Sequence, residues 1–251
     1  MMLILSILFI TIVLAAVLWL MGNYTFWLPS RSAEYPRIVM LHQVNDSVPA
    51  SGMNMPPEKF EQLLQLLKKL GYQSHFVSEI PHHTSHRNWV CLTFDDGFMD
   101  NFTQAFPLLQ KYHMKATIYL ATQIPDIEKL DAVAITTMQQ SGLIEFGSHT
   151  QDHVNLLKLD NNEARDQIAQ SKQQVEKLVG HCDSFAYPFG RYDQHHVDMV
   201  RELGFTTAVS TRKKIEPVSA NNTLQLPRIS TNGMMNRLQM RIALVKGRYK
   251  L

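Results

Sequence analysis

Cysteine is nearly absent from this chain. Two thiols in 251 residues, Cys91 and Cys182, cannot build a disulfide framework, and both fall in apolar runs that suit buried free thiols better than a bridge. Strong charge of one sign is absent as well. The 24 Lys and Arg against 22 Asp and Glu leave a formal net charge of +2, and no basic stripe of the kind that tracks phosphates is present, so nucleic-acid binding is disfavoured. Internal repeats and low-complexity segments are missing, which argues against solenoids and arrays. Long hydrophobic runs are missing too, with one exception.

That exception is residues 3–21, LILSILFITIVLAAVLWLM. At about 1.5 Å per residue the run spans roughly 30 Å, the thickness of a bilayer core. A cleaved signal peptide would want a basic n-region, a shorter apolar core and a small-x-small site. No Lys or Arg precedes the run and Met21-Gly22-Asn23 is a poor cleavage site, so an uncleaved membrane anchor is the favoured reading. Trp19, Tyr24, Phe26 and Trp27 fit an interfacial aromatic belt. Residues 1–30 are therefore assigned to an N-terminal transmembrane anchor (or signal sequence) and linker, and 31–251 to one folded domain. Arg31 and Arg37 follow the span and, by the positive-inside rule, weakly favour a cytoplasmic domain.

Beyond the linker, strand and helix patterns alternate. Strands are expected at 37–41, 73–77, 89–94, 116–121, 143–147, 184–187, 205–209 and 224–229. Helices are expected from Pro57 to the stop at Gly71, at 101–112, 126–140 and 163–179 (capped by Asn161 or Asn162), and at 193–203. The basic, amphipathic tail 235–251 suits a closing helix packed on the domain better than a membrane-surface contact. Alternation throughout argues for a parallel sheet flanked by helices, and six to eight such units favour a barrel. The loop 81–88, PHHTSHRN, holds three histidines without a carboxylate or thiol and reads as solvated rather than metal-binding.

Chemistry concentrates at two strand ends. Val90-Cys91-Leu92-Thr93-Phe94 runs into Asp95-Asp96-Gly97. Catalytic side chains gather at the carboxyl ends of strands, and two adjacent aspartates can divide labour between a metal and a proton. Downstream, His149 and His153 lie four residues apart with Asp152 beside the second. Two imidazoles and one carboxylate make a first shell sufficient for zinc with a position left open for water. The same donor set suits Fe(II), but a second aspartate has no role there and no cosubstrate-binding signature is present.

Thr93-Phe94-Asp95-Asp96-Gly97 followed by Ser148-His149-Thr150-Gln151-Asp152-His153 and Asn155-Leu156 resembles the first two motifs of the polysaccharide deacetylases, carbohydrate esterase family 4. The resemblance covers most of residues 37–230. It implies a distorted (β/α)7 barrel that uses a divalent metal, zinc foremost with Co2+, Ni2+ or Mn2+ as alternatives, to remove N-acetyl groups from a glycan. It assigns Asp96, His149 and His153 as metal ligands and Asp95 as general base. Phe185-Ala186-Tyr187-Pro188-Phe189-Gly190 resembles the third motif, which makes the Phe189 backbone N–H the oxyanion donor and places Tyr187 and Pro188 at the substrate. Two departures stand out. Phe185 occupies the place of the usual base-orienting arginine, with Arg228 or Arg191 as substitutes, and Arg228 is also a candidate substrate contact. No histidine follows His196 to serve as the usual late general acid. His42 is the candidate instead: it follows the first strand, which would lie beside the last in a closed barrel, and Leu41-His42-Gln43-Val44 resembles a segment of the poly-N-acetylglucosamine deacetylases. The expected partners are an N-acetylated glycan and the membrane, with the domain in the periplasm or outside the cell. A degenerate glycan-binding member and a hydrolase of small amides are the alternatives.

Overall fold

The structure, a computed structural model, describes residues 2–250. Helix α1 (Met2–Asn23) stands off the rest of the chain. Its charge-free window Ile4–Asn23 is long and apolar enough to cross a bilayer, and none of it is buried. Ser6 and Thr11 turn their hydroxyls back onto the carbonyls of Met2 and Ile7, which hides the polar groups that lipid cannot solvate.

The domain then alternates: β1 (Arg37–Leu41), α2 (Pro57–Lys69), β2 (Gln73–Ser74), β3 (Trp89–Phe94), α3 (Phe106–Tyr112), β4 (Ala116–Leu120), α4 (Ala132–Gln140), β5 (Ile144–Ser148), α5 (Asn161–Val179), β6 (Ser184–Ala186), α6 (Gln194–Glu202), β7 (Thr207–Val209), β8 (Ile229–Ser230) and α7 (Arg237–Lys246). The strands pair in parallel in the order β7-β6-β5-β4-β3-β1-β8, with β2 on the first residues of β3 only. One segment closes the circle. Leu226 bridges Val209 of β7, and three residues later Ile229 pairs with Val39 of β1. The result is the expected seven-stranded, distorted α/β barrel, with its first and last strands side by side.

Several boundaries differ from the sequence reading. The strand expected at 224–229 is broken at Pro227, which has no N–H to give to a ladder. The helix expected from 126 begins at Ala132, because Asp131 caps it by accepting the Ala134 N–H at 2.7 Å and Asp126 is left-handed. Asp160, rather than an asparagine, caps α5 in a capping box with Glu163. A π-helical turn, Asn101–Ala105, replaces the first part of the helix expected at 101–112. The tail does pack as a helix, burying Met240, Ile242, Ala243 and Leu244. The histidine loop is not wholly solvated: His86 is buried against Trp89, on whose other neighbour, His75, the indole stacks at 3.5 Å.

Period-2 alternation sorts the strand residues into two cores. Val39, Leu92, Ile118, Phe146, Phe185 and Ala208 face the helices. Ile38, Cys91, Tyr119, Ala186, Val209 and Leu226 fill the lumen, which Trp89, Val77 and Ile80 plug from below. Continuing the inward phase upward along β1 brings His42 to the top of the lumen, along β3 Asp95, and along β5 His149. Below them Tyr119 lies across from Gly147, its register partner. A Cβ on Gly147 would stand 2.6 Å from the Tyr119 ring and 2.6 Å from the Ser184 carbonyl oxygen. Gly147→Ala is therefore expected to destabilise the fold by about 1–3 kcal/mol through overpacking, seen as a lower urea midpoint with an unchanged slope.

Candidate active site

Two adjacent aspartates leave β3 in different directions. Asp95 continues the strand, its N–H donating to the Leu41 carbonyl at 3.0 Å, and it points into the lumen mouth. Asp96 and Gly97 are both left-handed, at φ 73° and 79°, and this double turn swings the Asp96 carboxylate away from its neighbour. Thr150 and His153 are left-handed as well. The HxxxH pair thus sits on a tight loop rather than a helix, and the loop folds both imidazoles toward Asp96.

Asp96 Oδ1 lies 3.6 Å from His149 Nε2 and 3.4 Å from His153 Nε2, and one ligand atom from each residue falls within 4.8 Å of the others. His149 Nδ1 donates to the Ala186 carbonyl at 2.7 Å, so its Nε2 presents a lone pair. Asp96 Oδ1 is buried without a hydrogen-bond partner. Burial pushes the His149 pKa down to about 3 and also lowers that of His153, which keeps both rings neutral. The unpartnered Asp96 oxygen and the His149 lone pair therefore converge with no hydrogen bond between them, an arrangement that a cation satisfies. The residues present fit a divalent metal. Asp152 takes no part: its carboxylate and N–H are both engaged by Gln167.

Asp95 is held by Arg228. The guanidinium donates to both carboxylate oxygens, Nη1 to Oδ1 at 2.6 Å and Nη2 to Oδ2 at 2.7 Å. Its remaining donors reach Thr93 Oγ1 and the Ser210 carbonyl. Burial pushes the Asp95 pKa up, but the charge of Arg228 and its hydrogen bonds outweigh it and hold the carboxyl well below the usual carboxylate range. Asp96 moves the other way: burial, then the charge of Asp95, raise it to about 6. His42 Nε2 sits 3.8 Å from Asp95 Oδ2 and keeps partial exposure at the mouth.

The placement corrects part of the sequence reading. Arg228 is fully buried, so it orients Asp95 and offers no surface to a substrate. Arg191 is exposed, which leaves Arg228 as the arginine on Asp95, while Phe185 faces outward against Phe205. Tyr187 and Pro188 are buried too, the Tyr187 hydroxyl donating to the Leu224 carbonyl at 3.1 Å; they shape the turn rather than meet a ligand. Phe189 is different. It is left-handed and exposed, and its ring lies 4.5 Å from that of His153. Among the described residues none accepts its N–H. Two residues escaped the sequence reading. Asn101 donates to the His42 carbonyl at 2.8 Å, and Asp100 accepts the Val44 N–H at 3.1 Å, so the π-turn clamps the segment that carries His42. Polar residues at the head of an apolar helix were the available signal.

Comparison with known proteins points to one family and one fold. The family model described as polysaccharide deacetylase matches residues 82–208. Over 192 residues the chain is 28% identical to YxkH of Bacillus subtilis, covering 74% of this chain and 67% of that protein. Over 155 residues it is 28% identical to the poly-β-1,6-N-acetyl-D-glucosamine N-deacetylase of Staphylococcus epidermidis, covering 56% of this chain and 53%, about half, of that enzyme. Among solved structures, the deacetylase PplD of Streptococcus pyogenes in complex with acetate superposes with a TM-score of 0.73 at 27% identity, covering 81% of this chain and 95% of that one.

Two measurements follow from the geometry. Arg228→Met strands the buried Asp95 charge and is expected to cost about 3–5 kcal/mol; adding Asp95→Asn to that variant recovers part of the loss, giving a non-additive double-mutant cycle in urea denaturation. Proton and metal compete for Asp96, whose metal-free pKa is about 6. Zinc affinity, by titration calorimetry, is expected to be level above that pH and to weaken by about tenfold per pH unit below it.

Proposed function

The chain belongs to the polysaccharide deacetylase family, and on that premise we propose that it is a metal-dependent N-deacetylase of a glycan containing N-acetylhexosamine. The observation that carries this reading is the pairing of an empty-handed acceptor triad, Asp96, His149 and His153, with a separate carboxylate, Asp95, fixed bidentately beside it. A poly-N-acetylglucosamine-like polymer is the favoured substrate, supported by the similarity to the Staphylococcus epidermidis enzyme. A soluble glycan or a small amide would be processed by the same chemistry.

Asp96, His149 and His153 would hold the metal, and two nitrogens with one oxygen suit zinc, with Co2+, Ni2+ or Mn2+ as alternatives. Bound there, a divalent ion supplies Lewis-acid polarisation of a carbonyl and lowers the pKa of water toward about 7. The chain's own residues do the rest. Asp95 accepts the proton of the attacking water; its carboxylate is a weak base because Arg228 stabilises its charge, so it suits a water that is already acidified. The same guanidinium fixes the carboxylate plane, so the proton is taken along one direction. The free Phe189 N–H donates to the oxyanion that develops on the acetamide carbonyl. His42, partly exposed and next to Asp95, delivers a proton to the departing amine. Clamping of its backbone by Asn101 keeps it at the mouth. The products are acetate and a free amine on the sugar.

The N-terminal helix supports a membrane-attached enzyme, and a polymer modified during export places the domain in the periplasm or outside the cell. The charge of Arg31 and Arg37 points weakly the other way.

The test is acetate release from N-acetylglucosamine oligomers by the full chain, with and without chelator. Release is expected to stop with chelator and return with zinc. Asp95→Asn and His42→Ala are each expected to lower kcat by about 10²–10⁴ while zinc content is unchanged, whereas His149→Ala loses the zinc. No release by folded, zinc-loaded protein from any oligomer would overturn the reading in favour of glycan binding without turnover.

A further inference from the structure

The surface where the N-terminal helix meets the domain is built for more than a tether. Tyr24, the first residue after α1, accepts a hydrogen bond from Asn236 Nδ2 at 3.0 Å, and Asn236 caps α7. Thr25 donates its N–H to the Tyr249 carbonyl at 2.9 Å and Arg31 donates to Val245 at 2.9 Å. Lys246 reaches the Leu28 carbonyl. The linker is thus sealed along α7 and the tail, and the domain cannot hang away from the end of α1 without breaking these contacts.

Two consequences follow from the position of Asn236. The end of the spanning helix marks the headgroup level of a bilayer, where Trp19 and Tyr24 pair edge to face. Side chains within a helical turn of Asn236 then share that level. They include Met234 and Leu238, which are 61% and 56% exposed, although nothing in the domain's own folding needs large apolar groups there. Phe26 and Trp27, also exposed, extend the patch from the linker side. The segment that carries it is charged in one sign: residues 231–250 contain five Lys and Arg and no Asp or Glu. Arg237, Arg241, Arg248 and Lys250 are exposed, and Lys213 joins Arg248, Lys250 and Met234 in lining a cleft of about 280 Å³. Apolar side chains at headgroup depth ringed by cations are the composition that an anionic bilayer surface attracts.

We propose that Met234 and Leu238, with the surrounding arginines and lysines, form a membrane-docking surface that seats the domain on anionic phospholipid beside its own anchor. This rests on the reading of α1 as a retained span. The segment concerned follows β8 at the carboxyl ends of the strands, where Thr231 donates its N–H to the Met40 carbonyl and Gly233 packs against Asn54 and Ala50. Docking there holds the mouth of the barrel near the bilayer plane, which suits a polymer emerging from the membrane better than one diffusing freely.

The experiment uses the full chain in phosphatidylcholine–phosphatidylglycerol nanodiscs, with an environment-sensitive fluorophore at one introduced cysteine. Both native thiols are buried and stay unlabelled in the folded protein. Probes at Leu14→Cys, Met234→Cys and Leu238→Cys are compared with Val133→Cys, 73% exposed on α4 across the barrel. Nitroxide lipids quench whatever touches them. Docking predicts quenching at 234 and 238 severalfold above 133, and its reduction when Arg237 and Arg241 are both changed to Glu or when the discs are purely zwitterionic. Quenching at Leu14 with 234 and 238 no different from 133 would overturn the docking surface and leave the anchor standing. No quenching at Leu14 would overturn the span itself. Quenching at 234 and 238 that ignores both charge and lipid composition would overturn the anionic specificity.

Discussion

The buried pair of Arg228 and Asp95 joins the two halves of this molecule's problem, closing a barrel and fixing a carboxylate at its mouth. Arg228 lies in the one segment that bridges β7 at Leu226 and β1 at Ile229. Asp95 follows β3, a strand buried at every position. Two parallel hydrogen bonds between them cross the top of the lumen. Taking both charges from water is costly, and the pair recovers that cost because the guanidinium makes four hydrogen bonds, to Asp95, Thr93 and Ser210. Leu226 and Arg228 face the lumen and Ile229 the helix-facing core, so the side chains keep the alternation of a strand across Pro227 although the ladder is interrupted there.

From that pair the electrostatics of the neighbouring carboxylates diverge. Asp95 and Asp96 are adjacent and both buried, and with no other help each would raise the other's pKa. Arg228 spends its charge on one of them. Asp95 stays ionised, and Asp96, carrying the unshared cost of burial and of its neighbour's charge, is left demanding a cation. Two histidines with depressed basicity supply nitrogen lone pairs in place of positive charge. Environments that drive equivalent groups apart are the general way one site comes to hold two roles.

Much of this was legible in the sequence because the signals are local. Adjacent aspartates at the end of an apolar strand, and two histidines four apart after another, can be read without knowing the fold, and the alternation of elements gives the barrel that brings them together. His42 was legible by topology, since a closed parallel barrel sets the first strand beside the last. What stayed hidden depends on contacts across the barrel. Arg191 and Arg228 both suited the base on paper; only the path of the seam puts one in the lumen and the other in solvent. Tyr187 and Pro188 belong to a motif that reads as substrate-facing, yet two successive left-handed residues, Phe189 and Gly190, turn the exposed surface over to Phe189 alone. Gly190 has no alternative, because a Cβ there would collide with Thr211. The clamp of Asn101 on His42 needed a π-turn that no periodicity announces.

The same closing segment also links the site to the N-terminal helix. Arg228 precedes β8, β8 leads through Thr231 and Gly233 to Asn236, and Asn236 meets Tyr24 at the end of α1. Continuity of contact is not coupling, which would require an element with two arrangements that both ends bias. What so short a connection does is fix geometry. The nine residues from Arg228 to Asn236 include a paired strand and a helix cap, so little slack separates Arg228 from the end of the helix. The linker removes more of it, for Arg37 at the start of β1 bonds the carbonyls of Arg31, Ser32, Tyr35 and Leu244. An enzyme on a flexible stalk would leave these donors to water. Here a buried arginine at each end of the barrel, one holding the linker and one holding Asp95, makes the position of the mouth relative to the N-terminal helix a property of the fold.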